Sequence, residues 1–241
     1  TLPAALAVVL WFQHGRITRR DVLRLAAMIP FGIAAGALTS WMERYIVGAT
    51  GPEWTLSPLD RLIVAGRAFW FYLGKLAWPH PLTFIYPRWD LAGTSATMLF
   101  VPATALLLLL ALWFARGRIG RGPLTAALLF AGTLSPALGF VNVYPMRFSF
   151  VADHFAYLAV IGPLALLAAA VARRLRRSPT LRPALAPGLT VLALGILGAL
   201  TWQRGYAYAD EETLWRDTLR KNPSSFIANG NLGGILLLRG E

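Results

Sequence analysis

Four side chains within residues 147–157 could contact one ligand that carries an anionic group. Arg147 offers a planar guanidinium that can donate to two phosphate oxygens at once. Asp153 and Tyr157 are four residues apart, which would place both on one face of an α-helix. His154 could donate to a phosphate or exchange a proton near neutral pH. A second guanidinium, that of Arg88, lies upstream in a similarly aromatic stretch.

Each of these residues also has a purely structural explanation. A carboxylate such as Asp153 is favoured in the first turn of a helix by the helix dipole, whatever its function. Arg147 could pair with Asp153 or with lipid headgroups, and Tyr157 could belong to an aromatic belt at a membrane surface. His154 could be a tolerated polar residue, so the sequence leaves both explanations open for all four and for Arg88.

Motifs of metal-dependent or nucleophilic catalysis do not accompany these residues. The sequence has no HExxH motif, glycine-rich phosphate loop or nucleophile elbow, and it contains no Cys. Its three histidines, His14, His80 and His154, are scattered along the chain, so we expect no metal site. The catalytic residues stay unassigned, and the involvement of a divalent metal stays open.

The composition indicates that these residues lie beside a membrane. Of 241 residues, 56% are apolar and 14% are charged, against about a quarter charged in a soluble domain. We therefore predict an all-α polytopic membrane protein, because lipid cannot satisfy free backbone groups. The predicted spans are residues 25–42, 96–114, 124–140, 155–172 and 187–202. Pro30 and Pro163 are expected as kinks inside their helices, and residues 2–12 as the tail of a partial first span.

A further apolar segment, residues 59–77, is predicted to lie in the membrane interface. Arg67 would fall near the middle of a span, at a cost of about 2.5–3.5 kcal/mol. If the segment spanned, the basic connector 14–24 would face the opposite side from the two other basic connectors, 115–123 and 173–186. We therefore expect an interfacial or re-entrant helix on the outer face, whose aromatic side chains lie in the headgroup belt, namely Trp70, Tyr72 and Trp78.

Basic residues are concentrated in three connectors, 14–24, 115–123 and 173–186. They hold twelve basic residues, Arg182 among them, and one acid, whereas the rest of the chain is nearly neutral. By the positive-inside rule the connectors are cytosolic, and we expect no nucleic-acid partner. The protein is then a multi-pass protein of the inner cell membrane. Its outer face receives residues 43–95, residues 141–154 and everything after residue 202.

The tail, residues 203–241, has the pattern of a helical hairpin. An apolar stripe that includes Leu214 and Thr218 precedes a break at residues 222–225, and a second apolar run follows. The spacing of Pro223, Leu232 and Gly240 is typical of a tetratricopeptide repeat, with a generic amphipathic hairpin as the alternative. Small side chains at residues 228 and 233 are expected to let the helices approach. Residues 1–202 would form the membrane domain.

Two stretches, residues 78–89 and 144–158, resemble stretches of the transmembrane-and-tetratricopeptide-repeat proteins, in particular their bacterial relatives. Residues 206–231 are similar to that family's junction between the last span and the first repeat. Many members have an acid followed by Arg where this chain has Asp153 and His154. The resemblance implies a multi-spanning C-type glycosyltransferase fold that uses polyprenyl-phosphate sugars, with O-mannosyl transfer known for eukaryotic members.

The resemblance implies a function for the chain as the carboxyl-terminal half of such an enzyme. A sugar such as mannose would pass from a polyprenyl-phosphate donor to acceptor proteins bound by the repeats on the outer face. The donor would be held by Arg147, Asp153, His154, Tyr157 and Arg88, without a resident cofactor. The catalytic acid is expected upstream of Thr1. The alternative is a non-catalytic membrane-anchored scaffold for partner proteins, whereas a transporter is disfavoured because no span carries a charge in its middle.

Overall fold

A computed structural model describes residues 1–51, 54–93, 95–177 and 185–240, apart from the side chains of residues 176, 185 and 186. Its described residues are 75% helical and form no strand, which confirms the predicted all-α class. Part of the predicted connector 173–186, including Arg182, lies outside the described residues.

The chain divides into two compact units. Unit 1 is formed by Thr1–Leu82 and Arg88–Leu166, and unit 2 by Thr83–Pro87 and Leu167–Glu241. The described helices are α1 (Leu2–His14), α2 (Arg19–Ala26), α3 (Ile29–Tyr45), α4 (Pro58–Ala77), α5 (Phe100–Ile119), α6 (Gly122–Leu134), α7 (Ile161–Arg177), α8 (Leu185–Gly205), α9 (Glu211–Lys221) and α10 (Phe226–Arg239). The predicted boundary at residue 202 stays a prediction.

Among the described residues, two stretches are long and apolar enough to cross a membrane. Arg19–Tyr45, with 27 residues, comprises α2 and α3, and Ala96–Ile119, with 24 residues, comprises α5 and the turn before it. Neither has its apolar window buried inside the structure, unlike the core helix of a soluble protein. These stretches contain the predicted spans 25–42 and 96–114. Whether the other three predicted spans cross a membrane stays a prediction.

Prolines make two predicted helices shorter than expected. Helix α6 ends at Leu134 because the ring of Pro136 removes a backbone donor and disfavours helix just before it. Helix α7 begins only at Ile161, which places Pro163 in its first turn, where a missing N–H is harmless. The predicted span 124–140 is therefore wrong over residues 138–140, which are not helical. The predicted span 155–172 is wrong over residues 157–160 for the same reason. Pro30 lies in the first turn of α3, at the junction of α2 and α3 inside the stretch Arg19–Tyr45, so only Pro163 is not an interior residue of its predicted span's helix.

Helix α4 is the centre of unit 1, and its bounds agree with the predicted interfacial helix 59–77. Ser57 begins it through a capping box with Asp60, each bonding the other's backbone N–H. A Cβ at Gly66 would lie 2.5 Å from the backbone nitrogen of Pro102, so α4 and α5 pack closely there. The location of α4 at a membrane interface stays a prediction.

One face of α4 is buried against the rest of unit 1. Ile63, Val64 and Ala68 are fully buried, and Phe69 packs edge-on against Phe130 of α6 at 5.3 Å between ring centres. Tyr72 belongs to this face, with only 2% of its surface exposed. Its expected place in a headgroup belt is therefore wrong, because the helical register turns it inward.

The predicted helical hairpin in the tail is present in unit 2. Asp210 caps α9, Ser225 caps α10, and residues 222–225 separate the two helices as expected. Ala228 is fully buried, but a Cβ at Gly233 would meet no atom of a described residue within 4 Å. The predicted close approach at Gly233 is thus wrong. Assignment of the hairpin to a tetratricopeptide repeat stays a prediction.

Candidate functional site

The candidate site is built on the segment of residues 139–153, which lies along α4 without forming a long helix or a strand. It begins at Gly139, whose φ of +93° strongly favours glycine. A Cβ there would also lie 2.8 Å from the Cγ1 atom of Val64. Backbone N–H and C=O groups near a protein interior need hydrogen-bond partners. Because this segment forms no long helix or strand, side chains must supply those partners.

Arg61 of α4 supplies the first of these partners. Its Nη1 donates to the carbonyl oxygens of Gly139 at 2.8 Å and Phe140 at 3.2 Å, and its Nη2 donates to Oδ1 of Asn142 at 2.8 Å. A rigid guanidinium fork bonded at three points fixes the start of the 139–153 segment against α4.

Two further side chains hold the middle of the segment. The indole Nε1 of Trp54 donates to the carbonyl oxygen of Val143 at 3.4 Å. The backbone N–H of Tyr144 donates to Oε2 of Glu43 at 2.7 Å, a charge-assisted bond. Glu43 belongs to the last turns of α3, so this bond ties the end of a candidate membrane span to the segment.

Arg88 brings the two sequence stretches of the family resemblance together. Its Nε donates to the carbonyl oxygen of Met146 at 3.0 Å, and its guanidinium lies 4.6 Å from the ring centre of Phe150. Met146 and Phe150 are buried in one apolar cluster with Val64 of α4. The stretch 78–89 therefore contacts the stretch 144–158 through the side chain of Arg88.

Tyr72 holds the end of the segment. Its buried hydroxyl donates to the carbonyl oxygen of Ala152 at 3.1 Å and accepts from the N–H of Ala152 at 2.9 Å. Burial raises the pKa of the Tyr72 phenol, and the nearby Asp153 carboxylate raises it further. Burial lowers the pKa of Lys75, which Asp153 opposes. The Asp153 carboxylate thus acts electrostatically on the last turns of α4.

Three of the five predicted binding residues gather around this segment. Arg88 and Asp153 have the environments just described, and Arg147 is exposed, with its guanidinium 6.0 Å from the ring centre of Trp54. His154 is exposed and packs edge-on against the neighbouring Phe155. Tyr157 is 69% exposed. The part of each residue in binding a ligand stays a prediction.

Asp153 and Tyr157 do not share the face of an α-helix, so that expectation is wrong. Residues Asp153–Ala156 form one turn of 3-10 helix, and the α-helix begins later, at Ile161. A 3-10 turn has three residues, so it aligns Asp153 with Ala156 rather than with Tyr157.

Four residues that position the site were not predicted from the sequence: Glu43, Trp54, Arg61 and Tyr72. A signal existed for Arg61, because a charged side chain in an apolar helix is costly unless it finds polar partners. No such signal marks Tyr72, whose partner is a backbone group 80 residues away. In the parts of the chain with described coordinates, no three metal-binding side chains come close enough to hold an ion.

Part of the resembling stretch 78–89 belongs to unit 2. Phe84 packs edge-on against Trp215 of α9 at 5.6 Å and against Tyr208 at 6.2 Å between ring centres. The Nδ2 of Asn222 donates to the carbonyl oxygen of Ile85 at 3.2 Å. These contacts attach the helical hairpin to residues 83–87.

A charge network stabilises the same unit around the buried Asp217. Its Oδ2 accepts from Arg204 Nη1 and from Lys221 Nζ, each at 2.7 Å, and its Oδ1 accepts from Arg220 Nη2 at 2.9 Å. Burial alone would raise the pKa of Asp217, but the bonds from Lys221 and Arg204 outweigh it and lower that pKa. Asp217 therefore stays ionised, and we assign it to stability.

The comparisons with known proteins identify no relative: the chain matches no family profile, no curated protein and no solved structure.

Proposed function

We propose that the chain is part of a membrane glycosyltransferase that passes a sugar from a polyprenyl-phosphate donor to protein acceptors on the outer face of the cell membrane. The observation that carries the proposal is the contact between the two resembling stretches through Arg88 and Met146. It leaves the guanidinium of Arg147, the next residue, exposed at the surface. An exposed guanidinium beside apolar helices suits the phosphate of a lipid-linked donor.

In the proposed reaction an acceptor hydroxyl attacks the anomeric carbon of the sugar. The new carbon–oxygen bond forms as the bond from that carbon to the donor phosphate breaks, and the polyprenyl phosphate leaves with the electron pair. The hydroxyl proton passes to a carboxylate that acts as the general base, as the family resemblance implies. Arg147 would stabilise the charge that develops on the leaving phosphate, where a preorganised cation is most effective.

The hairpin α9–α10 would bind the acceptor protein in this proposal. It contacts residues 83–87 through Phe84 and Asn222, and these residues directly precede Arg88 in the sequence. A scaffold without catalysis would use the same hairpin, and the two functions differ in whether Arg147 affects sugar transfer.

The test is sugar transfer in membranes from cells that express the protein with its natural flanking sequence. Radiolabelled mannosyl-phosphoryl-undecaprenol is supplied as the donor, and label in protein is measured for the wild type, Arg147→Ala and the control Arg118→Ala. Arg118 is exposed at the end of α5, outside the site. We expect at least tenfold slower transfer for Arg147→Ala and no change for the control.

Two results would contradict the proposal. Equal transfer by the wild type and Arg147→Ala would remove this residue from the site. Absence of transfer by the wild type with mannosyl, glucosyl and N-acetylglucosaminyl donors alike would favour the scaffold.

A further inference from the structure

A cavity of about 420 Å³ opens in unit 1 beside the start of the 139–153 segment. It lies where the last turns of α3, the loop after them and the first turn of α4 meet. Its polar lining includes Arg44, Arg61 and Asn142, together with Ser40 and Thr50. None of the five residues predicted from the sequence to bind a ligand lines it.

Both arginines of this cavity have donors without a partner among the described residues. Arg61 uses three of its five N–H donors on the 139–153 segment, so two are left. Arg44 is exposed, and its one described interaction is with the ring of the adjacent Tyr45 at 6.0 Å. The hydroxyls of Ser40 and Thr50 likewise have no described partner.

The charge of the cavity is uncompensated within the described structure. No carboxylate of a described residue lines it, since Glu43 next to Arg44 accepts instead from the N–H of Tyr144. Glu53 lies outside the described residues. Arg44 and Arg61 line the same cavity, and an anion bound there could gain charge-assisted bonds from both guanidinium groups.

We propose that this cavity binds a phosphate group between Arg44 and Arg61, as free phosphate or as the phosphate of a lipid headgroup. Two planar forks and two hydroxyls match the several acceptor oxygens of a tetrahedral phosphate better than the two of a carboxylate. The volume leaves room for the alcohol of a phosphate ester. The three bonds that hold Arg61 keep its guanidinium in place, so little rotamer entropy is lost on binding. The site does not depend on sugar transfer.

The test uses the purified chain in phosphatidylcholine nanodiscs, with two arms. In the first, sodium phosphate is titrated calorimetrically into the wild type, Arg44→Gln and the control Arg20→Gln. In the second, the discs contain phosphatidylglycerol, and native mass spectrometry counts the phosphatidylglycerol molecules retained by each variant. Arg20 is a suitable control because it is exposed on α2 and does not line the cavity.

Saturable phosphate binding that weakens about tenfold in Arg44→Gln alone identifies free phosphate as the ligand. Loss of one retained phosphatidylglycerol in Arg44→Gln alone identifies a lipid headgroup. The proposal is overturned if Arg44→Gln matches Arg20→Gln in both arms. Thr50→Val is made alongside, because it keeps both charges and removes one hydroxyl. It should reduce several-fold the phosphate affinity or the phosphatidylglycerol retention that Arg44→Gln reduces. If Arg44→Gln does not fold, the comparison of Thr50→Val with Arg20→Gln decides the test.

Discussion

Replacement of Tyr72 by Phe tests how the 139–153 segment is held on α4. The change removes one hydroxyl and leaves the ring, so the packing of α4 is kept. Two hydrogen bonds are lost, both with Ala152, at 3.1 and 2.9 Å. A lost bond costs about 1 kcal/mol and a buried group left unpaired costs about 1–3 kcal/mol. Because Ala152 is only half-buried, water can bond to part of its freed backbone groups. We therefore expect the free energy of unfolding to fall by about 2 kcal/mol.

Tyr157→Phe is the matched control for this substitution. It removes the same hydroxyl from a side chain that is 69% exposed and has no described hydrogen bond, so it should change the free energy of unfolding by less than about 0.5 kcal/mol. Thermal unfolding followed by tryptophan fluorescence should show a midpoint about 4–8 °C lower for Tyr72→Phe. The amide of Ala152 should also exchange its hydrogen faster in that variant. Equal midpoints and equal exchange in the two variants would refute the reasoning.

Three further predictions concern packing, charge and the hairpin. Gly66→Ala forces a Cβ onto the backbone of α5 and should destabilise the protein by about 1–3 kcal/mol, whereas Gly74→Ala in the same helix has open space and should stabilise it slightly, as chemical denaturation can measure. The pKa of Asp217 is lower in the folded than in the unfolded state, so its ionised form stabilises the fold. This contribution is present above the unfolded pKa and is lost as the pH falls through the folded pKa. Asp217→Asn should therefore remove this part of the pH dependence of the free energy of unfolding in acid. Phe84→Ala should make the α9–α10 hairpin more sensitive to limited proteolysis, and Leu238→Ala, at a position 91% exposed, should not.

The sequence predicts helices well where local chemistry decides them. The apolar segment 59–77 agrees with α4, whose start is fixed locally by the capping box of Ser57 and Asp60, and the break between α9 and α10 follows from Pro223. Prediction of helix bounds from the sequence fails where a proline can either kink a long helix or begin a new one. Pro163 does the second, and the consequence is that Asp153 and Tyr157 are not neighbours on one helical face.

The candidate site is only partly predictable from the sequence. Arg88 contacts the 139–153 segment and Arg147 belongs to it. The sequence singles out both because they are cationic residues among aromatic ones beside apolar stretches. The positioning contacts of Glu43, Arg61 and Tyr72 join groups 78 to 101 residues apart. Side-chain bonds to irregular backbone leave no periodic pattern in either partner, so a single sequence cannot reveal them.

The most direct test is to determine on which side of the membrane the 139–153 segment and the hairpin lie. Because the sequence contains no Cys, an introduced cysteine is the only one in it that a thiol reagent can label. Single cysteines are introduced as Val141→Cys, Ser224→Cys and Ile119→Cys, all at exposed positions, and are treated with an impermeant maleimide on intact cells with a permeable outer envelope. The account predicts that the first two react at once and that Ile119→Cys, in an arginine-rich connector, reacts only after the inner membrane is broken. Protection of Val141→Cys or Ser224→Cys in intact cells would contradict it.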